Sequence, residues 1–299
     1  MSDRLQSMSI LSAVVDAGSL SAGARALRMP LATVSRRVSD LEAELGAELV
    51  LRSARGLTLT DTGTVYLEAA RRILEDVAEA ERIASGEFSA PRGTLTITAP
   101  IVFGRLHVLP VVIDFLKAYP DVDVRLEQTD RPVHLHEEHF DLAVRIGALS
   151  DSSLIARRLG SVRQVVCASP GYLAENGVPT GPEDLANHTC ITFGNLMSPK
   201  SWRFGKGRAE IDVPIRSRLA VNTAEAAVAA AEAGLGITGV ISYQIAAAIN
   251  DGRLVTVLPS FEPEPWPVSF IYPPRGQLPQ KLRSFLDFAA PRISSVLGR

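Results

Sequence analysis

Apolar residues recur at helical spacing through the first part of the chain. Leu5, Met8, Leu11 and Val15 share one face of a helix expected over about Asp3 to Ala17 and ended by Gly18. Ser19-Leu20-Ser21 offers hydroxyl caps for a short second helix, Ala22 to about Arg28. Its small residues Ala22, Gly23, Ala24 and Ala26 let another helix cross closely, and Met29-Pro30 breaks it. Leu31, Val34, Val38, Leu41 and Leu45 then follow one another at three- and four-residue intervals, which predicts a third helix, Leu31 to Leu45, stopped at Gly46. At about 100° per residue these five cluster around one direction, and Arg36 points away from it.

The next apolar pairs are shorter. Val50-Leu51 and Leu57-Thr58-Leu59 read as two strands joined through Ser53-Ala54-Arg55-Gly56. Thr60 or Asp61 caps a long helix, about Thr62 to Glu87, with Tyr66, Ala69, Ile73, Val77, Ala80 and Ala84 along a coiled-coil-like seam. The stretch SGEFSAPR, Ser85 to Arg92, marks a domain boundary. From Gly93 the pattern alternates. LTITA is a strand, Gly104 to Ala118 a helix, VDVRLEQ a strand, Asp141 to Ile146 a strand and QVVCAS another. Thr223 to Ala233 is a helix, VSFIYP a strand, and Leu278 to Ser294 a final helix. Such alternation predicts a mostly parallel α/β sheet, in one two-lobed domain or two small ones.

Composition narrows the class. In 299 residues, 46% are apolar and 21% charged, as in globular protein with more than one domain. No run approaches the roughly 20 apolar residues of a membrane-spanning helix. The start, MSDRLQSMSI, lacks the apolar core and cleavage site of a secretory signal. Cys167 and Cys190 form no disulfide framework, so a cytoplasmic location is expected. A net charge of −2 does not announce a nucleic-acid binder, but a small basic face vanishes in a whole-chain sum. The lysines are Lys117, Lys200, Lys206 and Lys281, so any anion contact made before position 100 rests on arginine.

The third helix carries the functional signal. Ala32 and Thr33 flank Arg36 on its outer face, with Ser35 and Arg37 at the edges. Behind a close-crossing helix and a short turn, this is the layout of a helix-turn-helix whose second helix faces outward. Arg52 and Arg55 in the following hairpin form a basic wing able to reach a DNA backbone or minor groove. The alternative is a solvated helix in an ordinary three-helix core.

These residues also carry a resemblance. GSLSAGARALRMPLATVSRRVSDLEAELGAELVLRSARGLTLTDTG, with its Val-Ser-Arg, Leu-Glu-x-x-Leu-Gly and Arg-x-x-Arg-Gly-x-x-Leu-Thr-x-x-Gly elements, resembles the winged helix-turn-helix of LysR-type transcriptional regulators. The likeness extends over nearly the whole chain. It implies an α/β protein overall: a mainly α winged helix-turn-helix over 1–61 (the helix-turn-helix itself about 20–39), a dimerising linker helix over 62–88, and a two-lobed effector domain of periplasmic-binding-protein type over 93–299. The lobes would comprise about 93–160 with 267–299, and 161–266. Implied partners are double-stranded operator DNA, a small-molecule effector, further copies of the chain as dimer or tetramer, and RNA polymerase, but no membrane. The family often has Gln-Pro where this chain has Leu31-Ala32, the proline standing at Pro30 instead, so an adenine-reading glutamine is absent.

The same resemblance places an effector between the lobes. Pro100, Ile101, Val102 and Phe103 would lie at the start of a helix whose N–H groups can hold a carboxylate. Many relatives have a hydroxyl just after that proline; Ile101 and Val102 shift the expectation toward an apolar or aromatic effector. Thr129, Arg145, Ile146, Gly147, Thr192, Phe193, Asn222 and Thr223 are further wall candidates, or ordinary loop and strand-end residues. His134, His136 and His139 read as a solvated helix face, with a shared metal as the alternative. Cys167 reads as a buried strand residue, with a redox pair as the alternative, and Trp202 and Trp266 as packing residues. No nucleophile elbow, phosphate-binding glycine loop or zinc signature is present, so neither enzyme activity nor a cofactor or metal is expected.

Overall fold

Ser19 lies in extended conformation and accepts the Ala22 N–H through Oγ at 3.1 Å. That cap starts the second helix two residues earlier than its small-residue run begins. The computed structural model describes residues 2–53, 56–85, 90–135, 137–149, 153–194, 201–274 and 278–297. They form two compact units, Met1–Ser89 and Ala90–Arg299.

The first unit contains α1 (Ser2–Asp16), α2 (Leu20–Ala26), α3 (Leu31–Leu45), the antiparallel hairpin β1 (Val50–Ser53) and β2 (Gly56–Leu59), and α4 (Asp61–Ser85). Ile10, Leu11, Val14, Val34, Val38, Leu41, Leu49 and Leu67 form its core. Gly23 is required there, because a Cβ at this position would stand 2.7 Å from Val14 Cα. The α3 stripe begins one turn later than expected. Leu31 is 49% exposed, because it occupies the first turn of α3 beside the exposed Ala32 rather than the face toward α1. Of the two hydroxyl and carboxyl candidates for the α4 cap, Thr60 serves: its Oγ1 accepts the Gly63 N–H at 2.8 Å. Gly63 in turn touches the β1 approach, where an added Cβ would fall 1.9 Å from Leu49 O.

In the second unit, one lobe is built on β3 (Gly93–Ala99), β4 (Val122–Gln128), β5 (Leu142–Ile146) and β6 (Ile155–Val162). Between β3 and β4 run α5 (Ile101–Phe103), a π-helical turn (Gly104–Val108) and α6 (Leu109–Ala118). The chain then crosses to the other lobe as β7 (Gln164–Ala168), α7 (Pro170–Asn176), β8 (Cys190–Phe193), the hairpin β9 (Ser201–Phe204) and β10 (Ile211–Pro214), and β11 (Ser217–Val221). There follow α8 (Ala224–Glu232), β12 (Ile237–Ile241), α9 (Ala246–Asn250) and β13 (Val255–Val257). It returns as β14 (Trp266–Tyr272) and ends with α10 (Gln280–Leu297).

The sheets run β4-β3-β5-β14-β6 and β11-β8-β12-β7-β13. Both are mostly parallel, as expected, with four strands running one way and a fifth, β14 or β7, running against them. β3 is parallel to β4 and β5, whereas β14 is antiparallel to β5 and β6. β8 is likewise parallel to β11 and β12, whereas β7 is antiparallel to β12 and β13. The reason is the double crossing. β7 and β14 are the first strands laid down on arrival in a lobe, and each enters its sheet running against the βα units. The first lobe's core includes Leu95, Ile97, Phe103, Phe115, Val144, Phe270 and Phe285, and α8 covers Val165, Cys167, Ile191 and Val240 in the second.

Candidate DNA interface and ligand cavity

On α3 the outward face is made of Ala32, Arg36, Ser39 and Ala43, all exposed. Their spacing of four, three and four residues keeps them on one line of the helix. Ser39 was not among the expected contacts, although it lies seven residues beyond Ala32 on that face. Thr33, Ser35 and Arg37 are half-buried at its edges. Arg37 borders a groove between α1 and α3 together with Arg4, Ser7, Asp40 and Glu44, where Arg4 pairs with Glu44 at 2.8 Å. Arg36 is thus the basic side chain on the outer line of α3. Exposed Arg25 and Arg28 add charge at the end of α2 and in the turn, where Arg28 takes φ +53°.

The wing is held to this helix. Glu42 Oε1 accepts N–H groups from Leu49 (2.8 Å) and Val50 (3.1 Å), and the Leu57 N–H donates to Gly18 O at 3.3 Å. Arg52 pairs with Leu57 in the hairpin; its side chain and the whole of Arg55 lie outside the described residues.

Along α4, Leu67 and Ala70 are buried against the unit's own core, and Tyr66 packs beside them. Burial raises the Tyr66 hydroxyl pKa, and among the described residues that hydroxyl has no hydrogen-bond partner. Ala69 and Val77 are half-buried, Ala80 is exposed, and Ile73 is 42% exposed. Ala84 lies in α4 with its side chain outside the described residues. Arg71 ties α4 to α1 through Ser12 Oγ (3.0 Å) and the Asp16 carboxylate.

In the second unit the expected effector residues fall at strand ends, helix starts and loops of both lobes. Pro100 caps α5, and the Ile101 N–H that would meet a ligand carboxylate donates to Asp130 Oδ1 at 3.1 Å. Val102 and Phe103 are buried in the first lobe. The Phe103 ring meets His107 (4.9 Å between centroids) and, edge-on, Tyr243 of the second lobe (5.3 Å). Burial lowers the His107 pKa, which favours the neutral ring in this contact. Arg105 and Glu225 form a second link between lobes at 3.5 Å.

Other candidates make local contacts. Thr129 Oγ1 accepts the Arg131 N–H (3.3 Å), and the half-buried Arg145 donates to Val133 O (2.9 Å). Ile146 pairs with Val268, and Gly147, at φ +111°, donates to Pro267 O. Thr192 is buried on Ser217 Oγ at 2.7 Å, Thr223 caps α8 by accepting the Ala226 N–H, and Asn222 is exposed.

Phe193 alone of the expected effector residues borders a cavity of about 140 Å³ in the second lobe. Its other walls include Gln164, Trp202, Gly239, Glu262 and Trp266. Trp266 is 41% exposed, so it is no buried packing residue. Sequence reasoning missed this site; the one available signal was that the chain has just two tryptophans.

The described residues of the histidine-rich segment form no helix. His134 and His139 are exposed in an irregular connection between β4 and β5, His139 at φ +60°, and His136 lies outside the described residues. Glu138 is engaged by Arg131 and by the His134 N–H, which together hold its pKa near 2. Among the described residues no three His, Cys, Asp or Glu side chains are grouped to hold a metal. Cys167 and Cys190 are buried free thiols, with pKa values raised by burial to about 12 and about 11. No described helix is long and apolar enough to cross a membrane.

An outward helix with a braced wing, joined in one chain to a two-lobed α/β unit, defines a DNA-binding regulator with a ligand-binding domain. Residues 5–64 match the family described as bacterial regulatory helix-turn-helix protein, lysR family, and residues 89–293 match the LysR substrate binding domain. A transcriptional repressor of Pseudomonas aeruginosa strain UCBPP-PA14 is 35% identical over 288 residues, covering 96% of this chain and 91% of its own. The transcriptional activator AaeR of Escherichia coli K12 is 33% identical, with 95% and 92% covered. Among solved structures, CrgA, a LysR-type regulator from Neisseria meningitidis, superposes with a TM-score of 0.62 at 30% identity, covering 98% of this chain and 99% of that one. The Vibrio cholerae virulence activator AphB gives 0.59 at 29%, covering 95% and 98%. The chain belongs to the LysR family of transcriptional regulators, a family of DNA-binding regulators and not of enzymes.

Proposed function

We propose that Ala32, Thr33, Ser35, Arg36 and Arg37 of α3, with Arg52 and Arg55 of the wing, form the DNA contact of this regulator. Two such helices, held by paired α4 helices of a homodimer or homotetramer, would enter successive major grooves of a pseudo-palindromic operator in the cytoplasm. A small-molecule effector bound between the lobes of the second unit would favour one lobe arrangement. That shift would move the DNA-binding pairs relative to each other and to RNA polymerase. The observation that carries this reading is Arg36, exposed on the outer line of a helix whose opposite face holds Val34, Val38 and Leu41 in the core.

The test is binding of the full chain to the DNA upstream of its own coding region and to unrelated DNA, each at two salt concentrations. Tighter binding to the upstream DNA, with a gap that survives higher salt, is expected. Equal affinity for both would mark a non-specific coating protein and sink the proposal.

A further inference from the structure

Both tryptophans of the chain border the same cavity, whose floor is the β7–β12 pair. Val166 stands opposite Gly239, and Gln164 opposite Ile241, on one face of that pair. The opposite face, carrying Val165 and Val240, is buried in the lobe's core. Gly239, without a side chain, lets an aromatic ring approach the cavity-side face. The Trp202 indole lies over it, 3.5 Å from where a Cβ would stand. The volume of about 140 Å³ suits one aromatic ring, since an apolar cavity of about 150 Å³ takes up benzene.

The charges around the cavity select among rings. Glu262 is only 14% exposed, and its carboxylate accepts from Arg163 at 3.1 and 3.2 Å. Arg203 at the wall is engaged with Asp212 at 3.1 Å. A ligand carboxylate would therefore meet a part-buried carboxylate and find both nearby cations, Arg163 and Arg203, already paired. Elsewhere in the unit, the α5 N-terminus that suits an anion is met by the chain's own Asp130. Gln164 supplies an amide at the cavity wall.

We propose that this cavity binds a single-ring aromatic lacking a carboxylate, its ring against Trp202 and a polar substituent toward Gln164. The site adjoins both crossings between lobes. Trp266 opens β14 and pairs with Val162 at the end of β6, and Gln164 opens β7 two residues later. An occupant holds the two crossing segments together and so favours one lobe arrangement. This inference rests on the reading of the second unit as effector-binding; it names a ligand class and seats it within the second lobe, beside the crossings, rather than in the cleft between the lobes.

Tryptophan emission of the full chain is the direct readout, because both indoles border the site. Titration with benzamide, phenol and benzoate is expected to give a saturable emission change with benzamide or phenol, and at least tenfold weaker binding of benzoate. Gly239→Val, checked by circular dichroism for an intact fold, should abolish the change by filling the cavity. Should that variant misfold, Glu262→Gln serves instead: with Arg163 no longer neutralised, benzoate should gain at least tenfold on benzamide. No saturable change with any probe, benzoate binding as tightly as benzamide to the unaltered protein, or an unaltered titration in folded Gly239→Val would overturn the proposal. None of these bears on operator discrimination, which tests the regulator reading separately.

Discussion

Glu42 anchors the start of the wing at Leu49: its Oε1 accepts the Leu49 N–H at 2.8 Å and, with the same oxygen, the Val50 N–H at 3.1 Å. The motif Leu-Glu-x-x-Leu-Gly therefore does two jobs on one helix. Leu41 enters the core, and the next residue sets where the hairpin leaves it.

Replacing Glu42 by Ala removes an acceptor from two part-buried donors. The expected cost is about 1.5–3 kcal/mol of stability, read from the denaturant midpoint, with Glu42→Gln recovering much of it. Loss of DNA affinity should accompany it, because the wing loses its support. An Ala variant as stable as the parent would show that water replaces the carboxylate without cost.

Arg36→Ala should lower discrimination between operator and unrelated DNA by roughly 1–3 kcal/mol, measured as the ratio of dissociation constants at one salt concentration. A uniform loss on both DNAs would instead place Arg36 on phosphate.

Ile73 presents an apolar side chain, 42% exposed, on α4. If α4 pairs along this line, Ile73→Asp should weaken self-association at least tenfold by sedimentation equilibrium, about 1.4 kcal/mol. An unchanged association constant would move the seam off Ile73.

The two thiols make stability fall in alkali. Their pKa values rise from an ordinary 9.0 to about 12 and about 11 on folding, chiefly through burial. Below pH 9 both states keep the proton and nothing is lost. Above it the unfolded chain ionises first, so stability declines as pH rises from about 9 toward 12. Cys167→Ala with Cys190→Ala should flatten that decline in thermal melts between pH 8 and 10 (roughly, from the ordinary thiol range). The native protein should also resist thiol reagents at neutral pH, and rapid labelling would revive a redox role.

Helix boundaries in the first unit were legible because each depends on nearby residues. Gly46 ends α3 at φ +64°, and Ser19 caps α2 within three residues of itself. β6 was not legible, since IARRLGSV exposes Ile155 through Arg158 and shows no alternation. The tryptophan-lined cavity was not legible either: Gln164, Trp202, Gly239 and Trp266 lie far apart in the chain and meet only in the folded unit.

Local chemistry along the chain determined the winged helix-turn-helix, its outward arginine and the α/β character of the second unit. Periodicity and caps act over a few residues, so a linear reading captures them. Tertiary structure alone decided that one strand in each sheet runs against the other four, that Asp130 meets the α5 N-terminus, and that two distant tryptophans share one cavity. Those outcomes depend on which strands pair after the chain has crossed between lobes twice, and pairing over such distances is set by packing of the whole unit rather than by any one segment.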